Sequence, residues 1–170
     1  MKRPYWLLLV LVLMVAVSVQ AQRATPLGWN YYTSVGVSPN NAFSLRFGVM
    51  NSKLGAEVYA KSDINRLNQD IGKLDGKPYR LSLMGGVSYQ PIYNIIFTVN
   101  AGYGAKGVYR VDATQTTYGA EDLMTGLELG MGIHMNVGSY FLLYCGYSVL
   151  PVETGNIQHK EFTVGVGLYF

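Results

Sequence analysis

From residue 29 onward, apolar side chains recur at every second position in segment after segment. A strand points alternate side chains to opposite faces, so this period predicts strands with one apolar face. Residues 162–170 show it most cleanly: Phe162, Val164, Val166, Leu168 and Phe170 share one face, and Thr163, Gly165, Gly167 and Tyr169 the other. Eight segments read this way. The first is 29–37, with Trp29, Tyr31, Val35 and Val37 on its apolar face. Next come 42–50 (Phe43, Leu45, Phe47, Val49) and 53–61 (Leu54, Ala56, Val58, Ala60). The fourth and fifth are 79–89 (Leu81, Leu83, Val87) and 95–109 (Phe97, Val99, Ala101, Tyr103). The sixth is 123–135 (Leu127, Leu129, Met131, Ile133), the seventh 140–149 (Phe141, Leu143, Tyr147) and the eighth 160–170. The seventh is the least regular, because residues 140–144 are apolar on both faces.

The opposite faces carry Arg46, Glu57, Arg80, Lys106, Glu128, His134 and Glu161, interspersed with glycine. Apolar outside and polar inside is the pattern of a membrane barrel. A soluble barrel of the lipocalin kind inverts it, and the Gly28-Trp29 pair here lacks the spacer of the lipocalin Gly-x-Trp. Connection lengths agree. The stretches 51–52, 91–94 and 136–139 are short; of 39–41, 62–78, 110–122 and 150–159, the last three are longer and polar. Membrane barrels alternate short periplasmic turns with longer outer loops, and an even strand number puts both ends on the short-turn side. Aromatic residues gather towards the strand ends: Trp29, Tyr31, Tyr89, Phe97, Phe141 and Phe170 at the short-turn end, and Phe43, Tyr79, Tyr109, Tyr147 and Phe162 at the other. Two aromatic girdles are what such a barrel requires. The predicted fold is all-β, an eight-stranded antiparallel up-and-down transmembrane β-barrel.

The start of the chain adds an address. Lys2 and Arg3 precede an apolar run over 6–17, and Val19-Gln20-Ala21 suits cleavage before Gln22. This reads as a secretory signal peptide over 1–21, with the barrel domain over 22–170. The run is short for a spanning helix, which takes about 20 residues. The net charge of +3 includes Lys2 and Arg3, so the mature chain is close to neutral and offers no surface for nucleic acid. Cys145, the single cysteine, excludes an internal disulfide and a lipoprotein cleavage site, and it sits in an apolar stripe as a small hydrophobe. The 20 glycines and 14 tyrosines suit a tightly curved wall with amphipathic rims.

Candidate chemistry is sparse. His134 is expected in the lumen near the periplasmic end, and His159 in the last outer loop. Neither forms a metal set or a triad by itself. Asp63, Asp70 and Asp75 share the long second outer loop, but their spacing does not suit calcium. Glycine pairs such as Gly102-Tyr103-Gly104 lie inside strands, not in the strand-turn-helix setting of a phosphate loop. The expectation is no catalytic residue, no metal and no cofactor. The specific structural expectation is an inward pair. A turn at Asn51-Ser52 sets Arg46 directly opposite Glu57, and opposed charges in so narrow a lumen would neutralise each other and plug it.

Thr163, Gly165, Leu168 and Phe170 resemble the carboxy-terminal insertion signal of bacterial outer-membrane barrels. The chain as a whole resembles the small eight-stranded outer-membrane barrel proteins common in Bacteroidetes-type bacteria. Tyr79-Arg80-Leu81-Ser82, Gly85-Gly86-Val87, Ala101-Gly102-Tyr103-Gly104 and Gly126-Leu127-Glu128-Leu129-Gly130 carry that resemblance. It implies the outer membrane of a Gram-negative cell, with outer-membrane lipid and the barrel insertion machinery as partners. It also implies a non-enzymatic role, the wall as anchor and the outer loops as interaction surface towards an unidentified partner. The alternatives are a lipid A deacylase- or acyltransferase-like enzyme and a narrow passive pore. Deacylases of this fold resemble one another in a His-x-Ser pair; here Met135-Asn136 and Lys160-Glu161 follow the two histidines instead.

Overall fold

The computed structural model describes residues 28–67, 71–92, 94–114, 117–137, 140–151 and 158–170. The signal peptide expected over 1–21 lies outside them. Eight strands follow in order: β1 Trp29–Val37, β2 Ala42–Asn51, β3 Leu54–Asp63, β4 Pro78–Ile92, β5 Ile95–Val111, β6 Tyr118–Val137, β7 Phe141–Pro151 and β8 Gln158–Tyr169. Each pairs with the next, and β8 returns to β1, so the sheet closes into a barrel. All pairings are antiparallel. Closure removes the two edges that an open sheet would leave unpaired.

The alternation sorts the side chains. Leu83, Val87, Val99, Met131 and Phe141 all stay more than 60% exposed on the outer wall. In water such a surface would be unstable; against lipid tails it is the matching one. Cys145 lies on this wall opposite Ile133 and Val164 and is exposed. Inside, Ser34, Ser44, Arg46, Glu57, Lys61, Arg80, Ser82, Asn100, Glu128, His134, Ser148 and Glu161 are all buried.

Three details depart from the sequence reading. First, the β2–β3 turn is Ser52-Lys53, with Asn51 opposite Leu54. Ser52 adopts φ 57° and takes the left-handed position that a tight hairpin demands. Moving a turn by one residue moves the register by two. Every side chain therefore keeps its face, but Arg46 now opposes Tyr59, and Glu57 opposes Gly48. Second, the expected loop over 110–122 is largely strand. The β5–β6 hairpin continues above the barrel to Val111↔Tyr118, through a register shift between Lys106 and Val108. There Asp122, at φ 50°, is part of a bulge opposite Gly107. Alternation is weak across this stretch, so period two could not reveal it. Third, Tyr109 is not part of a lipid-facing girdle. The long β3–β4 connection, with short 3-10 turns at Ile64–Leu67 and Ile71–Lys73, folds over it. Tyr109 is 1% exposed, its N–H donates to the Lys77 carbonyl, and its hydroxyl donates to Asp63.

Candidate functional site

The interior is stacked in tiers. At the short-turn end Tyr32, Met50, Ile96, Leu142 and Tyr169 form an apolar plug. They come from the starts of β1, β5 and β7 and the ends of β2 and β8, where five inward positions converge at one height.

Above the plug sits the Glu57 carboxylate. Its Oε1 accepts from Arg46 Nη1 at 2.7 Å and from Asn100 Nδ2 at 3.0 Å. Its Oε2 accepts from the Tyr32 hydroxyl at 3.0 Å and from His134 Nε2 at 3.1 Å. Tyr32 has one proton to give, so its 2.7 Å contact with Ser88 Oγ is a bond donated by the serine. Four donors offset the cost of burying this charge. Arg46 is held in turn between two rings, its guanidinium carbon 3.5 Å from the Tyr59 centroid and 4.0 Å from that of Tyr144. Gly48 makes room for the arrangement: a Cβ there would collide with the Tyr32 ring, which crosses it to reach Glu57.

Nearer the outer end, two acids and two bases form a second tier. Lys61 Nζ donates to Glu161 Oε2 at 2.8 Å and to Ser148 at 2.9 Å, and lies 3.5 Å from Glu128 Oε1. Arg80 reaches Glu128 Oε1 through Nη2 at 2.6 Å and Glu161 Oε2 through Nε at 3.1 Å. The hydroxyls of Ser82 and Ser38 complete Glu128 and Glu161. Across both tiers Arg46, Lys61 and Arg80 stand against Glu57, Glu128 and Glu161, so the lumen charges balance. Pairing is needed, because an unpartnered ion in so confined a space would cost several kcal/mol.

At the mouth, half-buried Lys106 donates from Nζ to His159 Nδ1 at 3.0 Å. His159 stands near the start of β8, not within a loop, and its Nε2 is 3.9 Å from Glu161 Oε2. Asp63 accepts from the Arg80 backbone N–H at 3.2 Å as well as from Tyr109.

The structure thus brings Arg46, Glu57 and His134 into one cluster and Arg80, Glu128 and Glu161 into another, with Lys106 above them. Of the insertion-signal residues, Thr163 points inward and is buried, and Gly165 and Leu168 lie across the seam from Gly36 and Thr33. Phe170 exchanges both main-chain hydrogen bonds with Tyr31. Sequence reasoning missed Lys61 and Asp63 as lumen groups. Both continue the inward positions Glu57 and Tyr59 at period two, and running that period to the strand end finds them. Asp63 had been assigned to the loop beyond; its partners in the loop acids, Asp70 among them, fall partly outside the described residues.

No protein-family model matches the chain, and no curated protein matches it. Solved structures do. The outer-membrane protein Ail of Yersinia pestis, crystallised with the heparin analogue sucrose octasulfate, aligns with TM-score 0.56 at 12% identity, over 84% of this chain and 95% of Ail. Ail in a phospholipid bilayer nanodisc aligns at 0.55 and 13% identity, over 84% of this chain and 98% of that one. The N-terminal β-barrel domain of Pseudomonas aeruginosa OprF aligns at 0.52 and 14% identity, over 84% and 96%. At such identity the likeness is one of fold. The closed eight-stranded wall, its apolar exterior and its charge-balanced interior define a transmembrane β-barrel fold, the fold these outer-membrane proteins share.

Proposed function

We propose that this protein is a non-enzymatic outer-membrane barrel of a Gram-negative cell, with the wall as its anchor and its outer connections as an interaction surface. The carrying observation is the contrast between the two ends. The lumen is filled by mutually paired charges above an apolar plug, whereas the outer end projects a folded β3–β4 connection and a β5–β6 ribbon. Ail is an attachment invasion locus protein of the same fold. Adhesion, envelope structure or membership of a surface assembly is the corresponding role here. Membership of the Bacteroidetes-type family, cleavage before Gln22 and recognition of Phe170 by the insertion machinery belong to the same reading.

The test is proximity labelling on intact cells, with the label attached in the β5–β6 ribbon. Recovery of a defined external or cell-surface partner, lost when residues 64–77 and 110–122 are shortened, is expected. Equal labelling after shortening, or recovery of the protein in the soluble periplasm, would overturn the proposal. Lipid A of unchanged acylation with and without the protein is expected; a change in acylation would replace this reading with the enzymatic one.

A further inference from the structure

The β5–β6 ribbon is covered on one edge and, among the described residues, bare on the other. On the β5 edge, Gly76 donates to the Tyr109 carbonyl at 2.9 Å, Tyr109 to the Lys77 carbonyl at 2.9 Å, and Val111 N–H to Asp75 at 3.2 Å. The β6 edge has no such cover among the described residues. Pairing with β7 begins only at Leu129↔Val149. Residues 118–126 therefore face β5 on one side and meet no described strand on the other. That is about 30 Å of strand edge at the usual rise. Tyr118 and Leu123 beside it are 49% and 51% exposed.

A bare edge offers main-chain donors and acceptors in the spacing of a strand, and an extended peptide can add to it. Charge selects among such peptides. Glu121 and Asp122 are both exposed at the edge, with Arg110 beside Glu121 as the facing cation at 3.1 Å. A second copy of this chain would bring the same acidic pair to the junction. We infer that the free edge of β6, residues 118–126, is a docking edge for an extended polypeptide segment bearing basic side chains. The inference rests on the interaction-surface reading above and makes it specific.

The experiment uses the full mature chain in phosphatidylcholine nanodiscs, whose neutral headgroups do not hold basic peptides. The probe is a ten-residue peptide of alternating lysine and valine, followed by hydrogen–deuterium exchange. Alternate amides in 118–126 are expected to exchange quickly in the free protein and at least tenfold more slowly with peptide. A peptide N-methylated at every second amide keeps its charge but cannot form the ladder, and it is expected not to bind. Glu121→Gln with Asp122→Asn is expected to weaken binding about three- to tenfold, the scale of two exposed charge contacts. Asparagine tolerates the positive φ at 122, so this variant keeps the bulge.

Slow exchange of 118–126 in the free protein would mean that the chain already covers its own edge, and would overturn the inference. Equal binding of the N-methylated peptide would also overturn it, as would pairing of two copies through β6. Protection confined to residues 64–77 would overturn the edge while leaving the outer surface as the site of interaction.

Discussion

Arg46 reaches Glu57 along a diagonal: Nη1 lies 2.7 Å from Oε1, although the residue directly opposite Arg46 is Tyr59. The long arginine bridges one register step, while the space over Gly48, opposite Glu57, is taken by the Tyr32 ring. Removing either partner strands the other. Arg46→Met leaves Glu57 with three neutral or weakly polar donors, and Glu57→Gln leaves Arg46 between two rings with no anion. A double-mutant cycle of these changes, read by urea unfolding in lipid, is expected to give a coupling energy of about 1–3 kcal/mol. Strict additivity would show that the two do not interact.

The fold was legible because one rule, period two, governs a barrel wall from end to end. It assigned the faces of Arg46, Glu57, Arg80, Glu128 and Glu161, and it survived a register error because hairpin shifts of two preserve faces. It could not place the turn. Asn51-Ser52 and Ser52-Lys53 are both polar pairs, and the choice depends on which residue takes positive φ. Nor could it show the ribbon above the membrane. There both faces meet water, as at Gly119 and Ala120, so no alternation is imposed. The identity of partners within the lumen was out of reach for a third reason. Lys61 meets Glu161 across the barrel, a hundred residues away in sequence, and only closure sets that distance.

Gly48 is expected to tolerate no side chain. A Cβ at this position meets the Tyr32 ring, and Tyr32 must cross it to donate to Glu57. Gly48→Ala forces the ring to shift and removes one of four donors from a buried carboxylate. The expected loss is about 1–3 kcal/mol, the scale of overpacking. Tyr32→Phe removes the same hydrogen bond without the collision, so it should cost less. Equal losses in the two variants would place the whole effect in the hydrogen bond and none in the close approach.

The lumen has three barriers in series, the plug, the Glu57 cluster and the outer tier, and they should fail independently. The wild-type protein in a planar bilayer is expected to show no discrete conductance. Lys61→Met with Glu161→Gln loosens the outer tier but leaves the plug of Met50, Ile96 and Leu142 in place. Met50→Ala with Leu142→Ala loosens the plug but leaves Arg80, Glu128 and Lys61 paired. Neither pair alone is expected to open a steady path, nor are the four changes together, because the Arg46–Glu57 cluster still stands between them; adding Arg46→Ala and Glu57→Ala is expected to. Conductance from the plug variant alone would show that the charged tier does not block ions.

Phe170 closes the barrel as well as matching an insertion signal, and the two roles can be separated. Its N–H donates to the Tyr31 carbonyl at 2.9 Å, and its carbonyl accepts from Tyr31 N–H at 2.6 Å. Its ring stacks on Tyr31 with centroids 6.2 Å apart, and Tyr31 stacks on Phe47 at 6.3 Å, so three aromatics bind β8 to β1 and β2. Such ring pairs contribute about 0.5–1.5 kcal/mol each beyond their area. Deleting Phe170 removes the rings' contact and both main-chain bonds, whereas Phe170→Ala removes only the contact. Tyr31→Ala removes it from the other side and leaves the end of the chain intact. Refolded into lipid vesicles, Phe170→Ala should be the least affected of the three, because Tyr31→Ala also loses the Phe47 stack and the deletion also loses both main-chain bonds. In cells, the deletion and Phe170→Ala should lower the heat-modifiable, assembled band several-fold, and Tyr31→Ala should lower it less. If Tyr31→Ala impairs cellular assembly as much as Phe170→Ala, seam packing alone accounts for the effect, and the resemblance to an insertion signal carries no function. If none of the three changes stability in vesicles, the aromatic ladder does not hold the seam.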